Sequence, residues 1–377
     1  MPMQPFLSLT PSEKHRFAET LLTWFAANAR DLPWRRTYDP YGVWVSEIML
    51  QQTQMDRAVN YFNAWMERFP SILAVAEAPE EAILKAWEGL GYYRRARNLH
   101  TAAKILVAEN GGEIPTDLNA LHALPGVGEY TAAAILSIAY NDPHAAVDAN
   151  VLRIFSRICD IDVPVTHTGV KGFVSRAVAS VMPLDKARQF TQTLMEFGAL
   201  VCTKVPRCTE CPVKSHCEAF RLGTVAKRPK QKVNLGYTRM NMATAVLCRQ
   251  GKILIQKRPQ YGVWAGLWET PGGCLEPSET PEQALLREVM EETELSVVIR
   301  EKLAVIRHSY TTCRVTMHAY LCELLSESPE PPEPVLHAAT EYIWAAPDEI
   351  SALAFPAGHR KLWDALRQKA QCGFTPS

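Results

Sequence analysis

Near residue 225 the chain changes the period of its hydrophobic pattern, so its two halves cannot share one architecture. Before that point, FAETLLTWFAANA, SEIMLQQTQMDRAVNYFNAWMERF and EEAILKAWEGL repeat apolar residues at helical spacing. Pro and Gly interrupt these runs at short intervals. After residue 240, MATAVLCRQGKILIQKRP reads as a hairpin turning near Gln250-Gly251, and RVTMHAYLCEL as another strand. TPEQALLREVMEET reads as a helix. The expectation is an all-α domain over 1–225 and an α+β domain over 241–377. A chain of 377 residues is long enough to split into two cores. Residues 226–240, AKRPKQKVNLGYTRM, carry five basic side chains and no acid, and read as an exposed basic linker. SESPEPPEP, residues 326–334, reads as a Pro-rich surface loop. No internal repeat of fixed period is evident.

Composition then excludes several classes. The chain is 47% hydrophobic and 21% charged, as globular proteins are. No apolar run approaches the roughly 18 to 20 residues of a membrane helix. MPMQPFLSLTPSEKH lacks the basic start and apolar core of a secretory signal. Of ten cysteines, Cys202, Cys208, Cys211 and Cys217 share one short stretch and six are scattered, as in a reduced cytoplasmic protein. The 40 Lys+Arg balance the 40 Asp+Glu. Any nucleic-acid site must therefore be a local patch or a pocket of backbone amides.

LPGVGEYT, residues 124–131, suits such a pocket. A Gly126-Val127-Gly128 turn exposes backbone N–H groups and admits close approach. The Ala-rich helix that follows, one turn into which Tyr130 is expected, aims its positive end at the same place. Glycine in such a joint is often steric only, but LNALHAL before it completes a helix–hairpin–helix, which grips phosphates without reading sequence.

Two acids stand out. PYGVWVSEIMLQQT places Glu47 in the first turns of a helix, beside Trp44, with Gln51 on the same face. AVDANVLRI places Asp148 directly before a helix. Each has an ordinary explanation, a helix-start acid and an N-cap. Together they offer the proton donor and the carboxylate that glycosidic hydrolysis needs, and Trp44 could help keep Glu47 protonated by desolvation. The cysteines, spaced Cys-x5-Cys-x2-Cys-x5-Cys, indicate a metal site; ligand type alone allows zinc or an iron–sulfur cluster.

LPGVGEYTAAAI, the Asp of AVDANVLRIFSR and the cysteine cluster resemble the endonuclease III superfamily of DNA glycosylases. That resemblance implies a [4Fe–4S] cluster in the 202–217 loop, although the first cysteine spacing is one residue shorter than usual. Where endonuclease III carries its Schiff-base lysine, this chain has Tyr130, which cannot form one. With WRRTYDPYGVWVSEIMLQQTQ, GLGYYRRARNL and VDANVLR, the chain is similar to monofunctional MutY-type adenine DNA glycosylases. The resemblance implies that Glu47 protonates adenine at N7 and that Asp148 stabilises, or transiently bonds to, the sugar cation. Tyr130 and Asn150 would line the pocket, while Gln52, Leu90 and Tyr92 would enter the duplex at the opposite base.

WETPGGCLEPSETPEQALLREVMEETEL fits the Nudix box at Gly273, Glu279, Arg287, Glu288, Val289, Glu291, Glu292 and Leu295, with Glu294 in place of the last glycine. In Nudix hydrolases this helix holds magnesium against a diphosphate. MutY-type proteins use the domain to recognise 8-oxoguanine. RHSYTTCRV resembles the loop that touches the lesion, with Tyr310 and Thr311 as contacts and Thr312 where an imidazole is usual. His308 is either a contact or a strand-end packing residue. The expectation is an all-α helix–hairpin–helix glycosylase domain with an iron–sulfur loop, plus an α+β Nudix-like domain. The protein would act as a cytoplasmic, nucleoid-associated monomer on duplex DNA with adenine opposite 8-oxoguanine or guanine. A β-lyase, a nucleotide diphosphatase and a non-enzymatic lesion binder are the rivals.

Overall fold

The computed structural model describes residues 6, 9–230, 236–310, 313–325 and 332–371, with side chains omitted at 310 and 369–371. The chain forms two compact units: residues 1–77 with 98–234, and residues 78–97 with 235–377. The helices of the first half are α1 (Pro11–Asn28), α2 (Pro40–Leu50), α3 (Met55–Arg68), α4 (Ile72–Glu77), α5 (Glu80–Trp87) and α6 (Arg94–Asn110). They continue as α7 (Leu118–Ala123), α8 (Glu129–Ala139), α9 (Ala149–Ile158), α10 (Val170–Ala179), α11 (Ala187–Leu200) and the short α12 (Glu218–Arg221).

Local chemistry sets the boundaries of these helices. Thr10 and Glu13 form a capping box before Pro11. Asp39 caps α2 through Gly42 N–H at 2.8 Å, with Pro40 at the first helical position. Asp148 caps α9 through Val151 N–H at 2.7 Å. Within the first unit, Val151, Ile154, Phe155 and Ile158 of α9 pack with Phe17, Phe190 and Phe197. Helix α8 is buried from Thr131 to Ala139, so its alanines permit close approach by α2 and α11.

Four expectations change here. The run SEIMLQQTQMDRAV is two helices, broken at Gln51–Gln54, where Gln52 takes a left-handed φ of 60°. Because Asp39 and Pro40 start α2, Glu47 lies about two turns inside it rather than in the first turns. Gln51 is the C-cap of α2 and donates to Thr131 Oγ1 at 3.3 Å. Conversely, Tyr130 is the second residue of α8, not one turn in. The basic stretch is not a solvated connector at its start. Arg228 is buried, bridges Asp160 and Asp162, and accepts from Arg157 through its carbonyl. Residues 231–235 lie outside the described residues.

The second unit is built on a mixed sheet with the path β3-β2-β1-β6-β5. Its strands are β1 (Thr238–Arg249), β2 (Lys252–Lys257), β3 (Trp268–Glu269), β4 (Gly272–Cys274), β5 (Val297–Tyr310), β6 (Cys313–Leu324) and β7 (Glu341–Ala345). Strands β1 and β6 are parallel, from Thr238↔Cys313 to Leu247↔Cys322. The β1–β2 hairpin closes on Gln250 and Gly251, both at positive φ, as the right-handed twist of a two-residue turn requires. Alternate residues of β1 enter different cores: Met242 and Val246 join Phe355, Leu362 and Trp363, whereas Ala243, Ala245 and Leu247 join Leu285 and Val289. Burial on both faces explains why β1 reads as a nearly continuous apolar run. Helices α13 (Pro281–Thr293), α14 (Pro347–Ala352) and α15 (Ala357–Gln371) complete the unit. Of the Pro-rich loop, residues 326–331 lie outside the described residues.

Candidate active site

In the first unit a cavity of about 660 Å³ is lined by Glu47, Tyr130, Asp148 and Asn150, with Arg30, Arg35, Gln192 and Glu196. Glu47 is 4% exposed. The Tyr130 hydroxyl donates to its Oε2 at 2.6 Å, across 83 positions of sequence. Burial pushes the Glu47 carboxyl up to about 7; Asp148 adds to the rise, while the Tyr130 bond and Arg35 oppose it. Burial also raises Asp148, against bonds from Val151 N–H and Asn150. Asn150 Nδ2 donates to Asp148 Oδ2 at 2.7 Å. Glu47, pushed up to about 7, and Asp148, raised by burial but held by hydrogen bonds to its carboxylate, thus face the same space.

Gln51 and Gln52 line the cavity too, and Gln52 is exposed. Trp44, three residues before Glu47, is buried and is not among the residues that line the cavity. Four lining residues escaped the sequence reading. Glu196, 1% exposed, accepts from Arg30 Nε at 2.6 Å and Arg35 Nη2 at 2.9 Å. Gln192, 2% exposed, has both amide atoms without a hydrogen-bond partner. Their signal was present: FTQTLMEFG inserts Gln and Glu, four apart, into an otherwise buried helical stripe.

The hairpin is as expected, α7, a turn, then α8. Gly126 has φ +80°, and a Cβ there would lie 2.8 Å from Asn98 Cβ. Gly128 differs: a Cβ there would meet nothing within 4 Å, so packing inside the chain does not demand glycine. An exposed glycine at a helix start leaves room for a ligand's close approach. Val127 between them is buried.

Cys202, Cys208, Cys211 and Cys217 are free thiols around one small cavity of about 30 Å³, together with Arg157 and Lys214. Arg157 Nη1 donates to Cys202 Sγ at 3.3 Å. Burial pushes the thiols of Cys211 and Cys217 up to about 11. A chain of contacts joins this loop to the cavity: Arg153 donates to Asn150 Oδ1 at 2.7 Å, to Gly198 O and to Cys202 O at 2.8 Å. The nine described cysteines are all unpaired.

Residues 45–168 match the HhH-GPD superfamily of base excision DNA repair proteins, and residues 242–365 match the NUDIX domain. The chain is 34% identical over 359 residues to the adenine DNA glycosylase of Mus musculus, covering 81% of this chain and 70% of that protein. Over 231 residues it is 40% identical to the adenine DNA glycosylase of Mycolicibacterium smegmatis, covering 59% of this chain and 74% of that one. The solved structure of a thermostable thymine-DNA glycosylase superposes with a TM-score of 0.51 at 28% identity, over 56% of this chain and 98% of that one. The chain belongs to the adenine DNA glycosylase family. It is a base-excision repair enzyme that hydrolyses the N-glycosidic bond of adenine in duplex DNA. Its helical part has the endonuclease III-like fold of this superfamily. Among the described residues no helix is long and apolar enough to cross a membrane.

Other residues that the family resemblance singled out lie in the second unit. Leu90 is buried and Tyr92 half-buried, in a turn where Gly89, Gly91 and Tyr92 all have positive φ. Arg95 stacks over the Tyr92 and Trp87 rings and donates to the carbonyls of Leu90 and Gly91. His308 is half-buried, with both ring nitrogens unpartnered, and its ring touches the Gly358 position. Burial holds its pKa below the ordinary histidine value. Tyr310 ends β5; Thr311 and Thr312 lie outside the described residues.

The Nudix helix α13 starts on a Thr280–Gln283 capping box. Glu294, at its C-cap with φ 56°, explains the glycine of the motif: the box ends where a left-handed residue is required. Here Glu294 tolerates that conformation and pairs with His337 at 2.7 Å. Arg287 holds Glu279 at 2.8 Å and Glu291 at 3.1 Å. Glu292 accepts from Gly272 N–H at 2.9 Å and Gln256 Nε2 at 2.8 Å. Glu269 is bound by Arg258 at 2.7 Å.

Proposed function

We propose that the enzyme removes adenine paired with 8-oxoguanine or guanine, acting as a monomer with a [4Fe–4S] cluster. The observation that carries the chemistry is the arrangement of Glu47 and Asp148 on one cavity, with the Tyr130 hydroxyl on Glu47. The hairpin Gly126–Gly128 holds a phosphate of the substrate strand, and the adenine leaves the stack to enter the cavity. Glu47, protonated, delivers its proton to N7, so the base departs with the electrons of the glycosidic bond. Asp148, held by Val151 N–H and Asn150, stabilises the positive sugar carbon until water adds there. Tyr130 orients Glu47 and offers no amine, so no strand-cutting Schiff base forms. The unpartnered amide of Gln192 presents a donor and an acceptor side by side, the complement of an adenine edge.

Four thiols around one space, anchored by Arg157, suit a cluster held by Cys202, Cys208, Cys211 and Cys217. Among the described residues no group of three or more His, Cys, Asp or Glu side chains is drawn together as for a metal ion. When bound, the iron of such a cluster would keep the four thiols ionised and tie the loop beside Arg153. In the second unit, Leu90 and Tyr92 enter the duplex together with Gln52 of the first, and His308, Tyr310 and Thr311 check the opposite base. Glu279, Glu269 and Glu292 are already engaged by protein donors, which supports a scaffold rather than a diphosphatase.

A glycosylase assay on duplexes with adenine opposite 8-oxoguanine, guanine or thymine tests the reading. Excision should be fastest opposite 8-oxoguanine. Equal rates opposite all three would overturn the assignment of a base-checking domain.

A further inference from the structure

The segment 78–97 is covalently part of the helical half yet compacts with the C-terminal half of the chain. Among the side chains that tie it there are one carboxylate and one phenol. Glu88 Oε1 accepts from Phe355 N–H at 2.9 Å and from Arg360 Nε and Nη2 at 2.9 and 2.7 Å. Its Oε2 accepts from Lys85 Nζ at 2.8 Å. Lys85 and Arg360 also share the Leu353 carbonyl, at 3.0 and 2.8 Å. The Tyr93 hydroxyl donates to Phe355 O at 2.9 Å, in the interior.

Both backbone polar groups of Phe355 are thereby bonded by side chains on either flank of the turn 89–92. Phe355 itself is fully buried, edge-on to Trp363, and Ala354 O accepts from Trp268 N–H at 3.0 Å. The junction is therefore rigid on the sheet side. On the other side sits a turn in which Gly89, Gly91 and Tyr92 have positive φ, a conformation that the glycines adopt freely and that costs strain only at Tyr92. Two further ties, Lys257 to Glu81 at 2.7 Å and Arg97 to Ala265 O, hold the helices flanking this turn to the sheet and to the loop before β3.

We propose that Glu88, with Arg360 and Tyr93, is a positioning element for base discrimination: it makes the turn bearing Leu90 and Tyr92 move as one body with the C-terminal domain. The seating of that domain on the opposite base then sets how far the turn penetrates the duplex. This rests on the proposed function, in which the C-terminal domain checks the opposite base. A half-buried, multiply bonded carboxylate transmits displacement because none of its donors can shift without breaking a charge-assisted bond.

The test uses the full-length protein loaded with its cluster, and compares wild type with Glu88→Ala, Glu88→Gln and Tyr93→Phe. Single-turnover excision is measured opposite 8-oxoguanine and opposite guanine, with thermal melting of each free protein. A 2-aminopurine beside the mispair, in duplexes carrying a non-hydrolysable adenosine analogue, reports unstacking by the turn. Glu88→Ala should reduce the ratio of the two rates by about tenfold, within the usual range of site–site coupling. The fluorescence rise with 8-oxoguanine should fall to that seen with guanine. Glu88→Gln, which keeps an acceptor for Phe355 N–H, and Tyr93→Phe, which removes one bond, should fall between. If melting drops while both rates fall in proportion and the ratio holds, the junction is a structural joint and the proposal fails. If wild type itself shows no preference for 8-oxoguanine, the underlying reading fails, whatever the variants do.

Discussion

Burial is the first reason that the carboxyls of Glu47 and Glu292 are each pushed up to about 7. They differ in what faces them. Glu47 opens on a cavity of about 660 Å³, shared with Asp148, and is held by a phenol that can follow its titration. Glu292 is packed against a backbone amide and a glutamine, with Glu269 and Glu288 as charged neighbours. A raised carboxyl pKa marks desolvation; only a cavity and a second reactive group make it a candidate for chemistry.

The strongest way to break the comparison is substitution at both positions. Glu47→Gln should lower single-turnover excision by about a thousandfold while leaving duplex binding nearly unchanged. Glu292→Gln should leave excision within about twofold, since surface-distant neutral isosteres touch no reacting atom. Equal losses would mean that the cavity is not the reaction site. Asp148→Asn should cost about a hundredfold or more, as removal of a charge-stabilising group does. Asparagine can still cap α9 at Val151 N–H, so melting should hold; Asp148→Ala should instead lose about 1 kcal/mol of stability.

Next is the bridge from Asn150 to the cysteine loop. Arg153→Gln should slow excision by about tenfold and lower bound iron per chain, whereas disturbing Arg287 should change neither. The pH–rate profile sharpens the comparison further. Glu47 must be protonated to act, so activity should fall as pH rises through about 7. Tyr130→Phe removes a bond that lowers the Glu47 pKa, so the alkaline limb should move to higher pH. The smallest effect is at Glu292. Its folded pKa lies above the ordinary 4.5, so its contribution to stability is present below that value and lost as pH rises to about 7. Glu292→Gln should flatten the pH dependence of melting in that window.

Much of this was legible in the linear text. The hairpin, the Asp148 cap, the α13 capping box and the Gln250-Gly251 turn are written in residues a few positions apart, because caps and turns are satisfied locally. The family motifs placed Glu47, Tyr130, Asp148 and Asn150, and all four line one cavity. Position within helices was less legible: Pro40 and Asp39 moved the start of α2 well ahead of Glu47. So was Arg228, whose burial depends on Asp160 and Asp162, far back in the chain.

By itself the sequence determined the two kinds of layer, the capped helix starts and the grouping of four thiols, since periodicity and capping act over a few residues. Tertiary structure alone decided that Glu47 loses water, that the Tyr130 hydroxyl reaches it, that Gln192 is left with an unpaired amide, and that residues 78–97 join the C-terminal unit. Those outcomes arise because desolvation and long-range hydrogen bonds are set by how helices pack, and packing sums contributions that no short stretch of sequence contains.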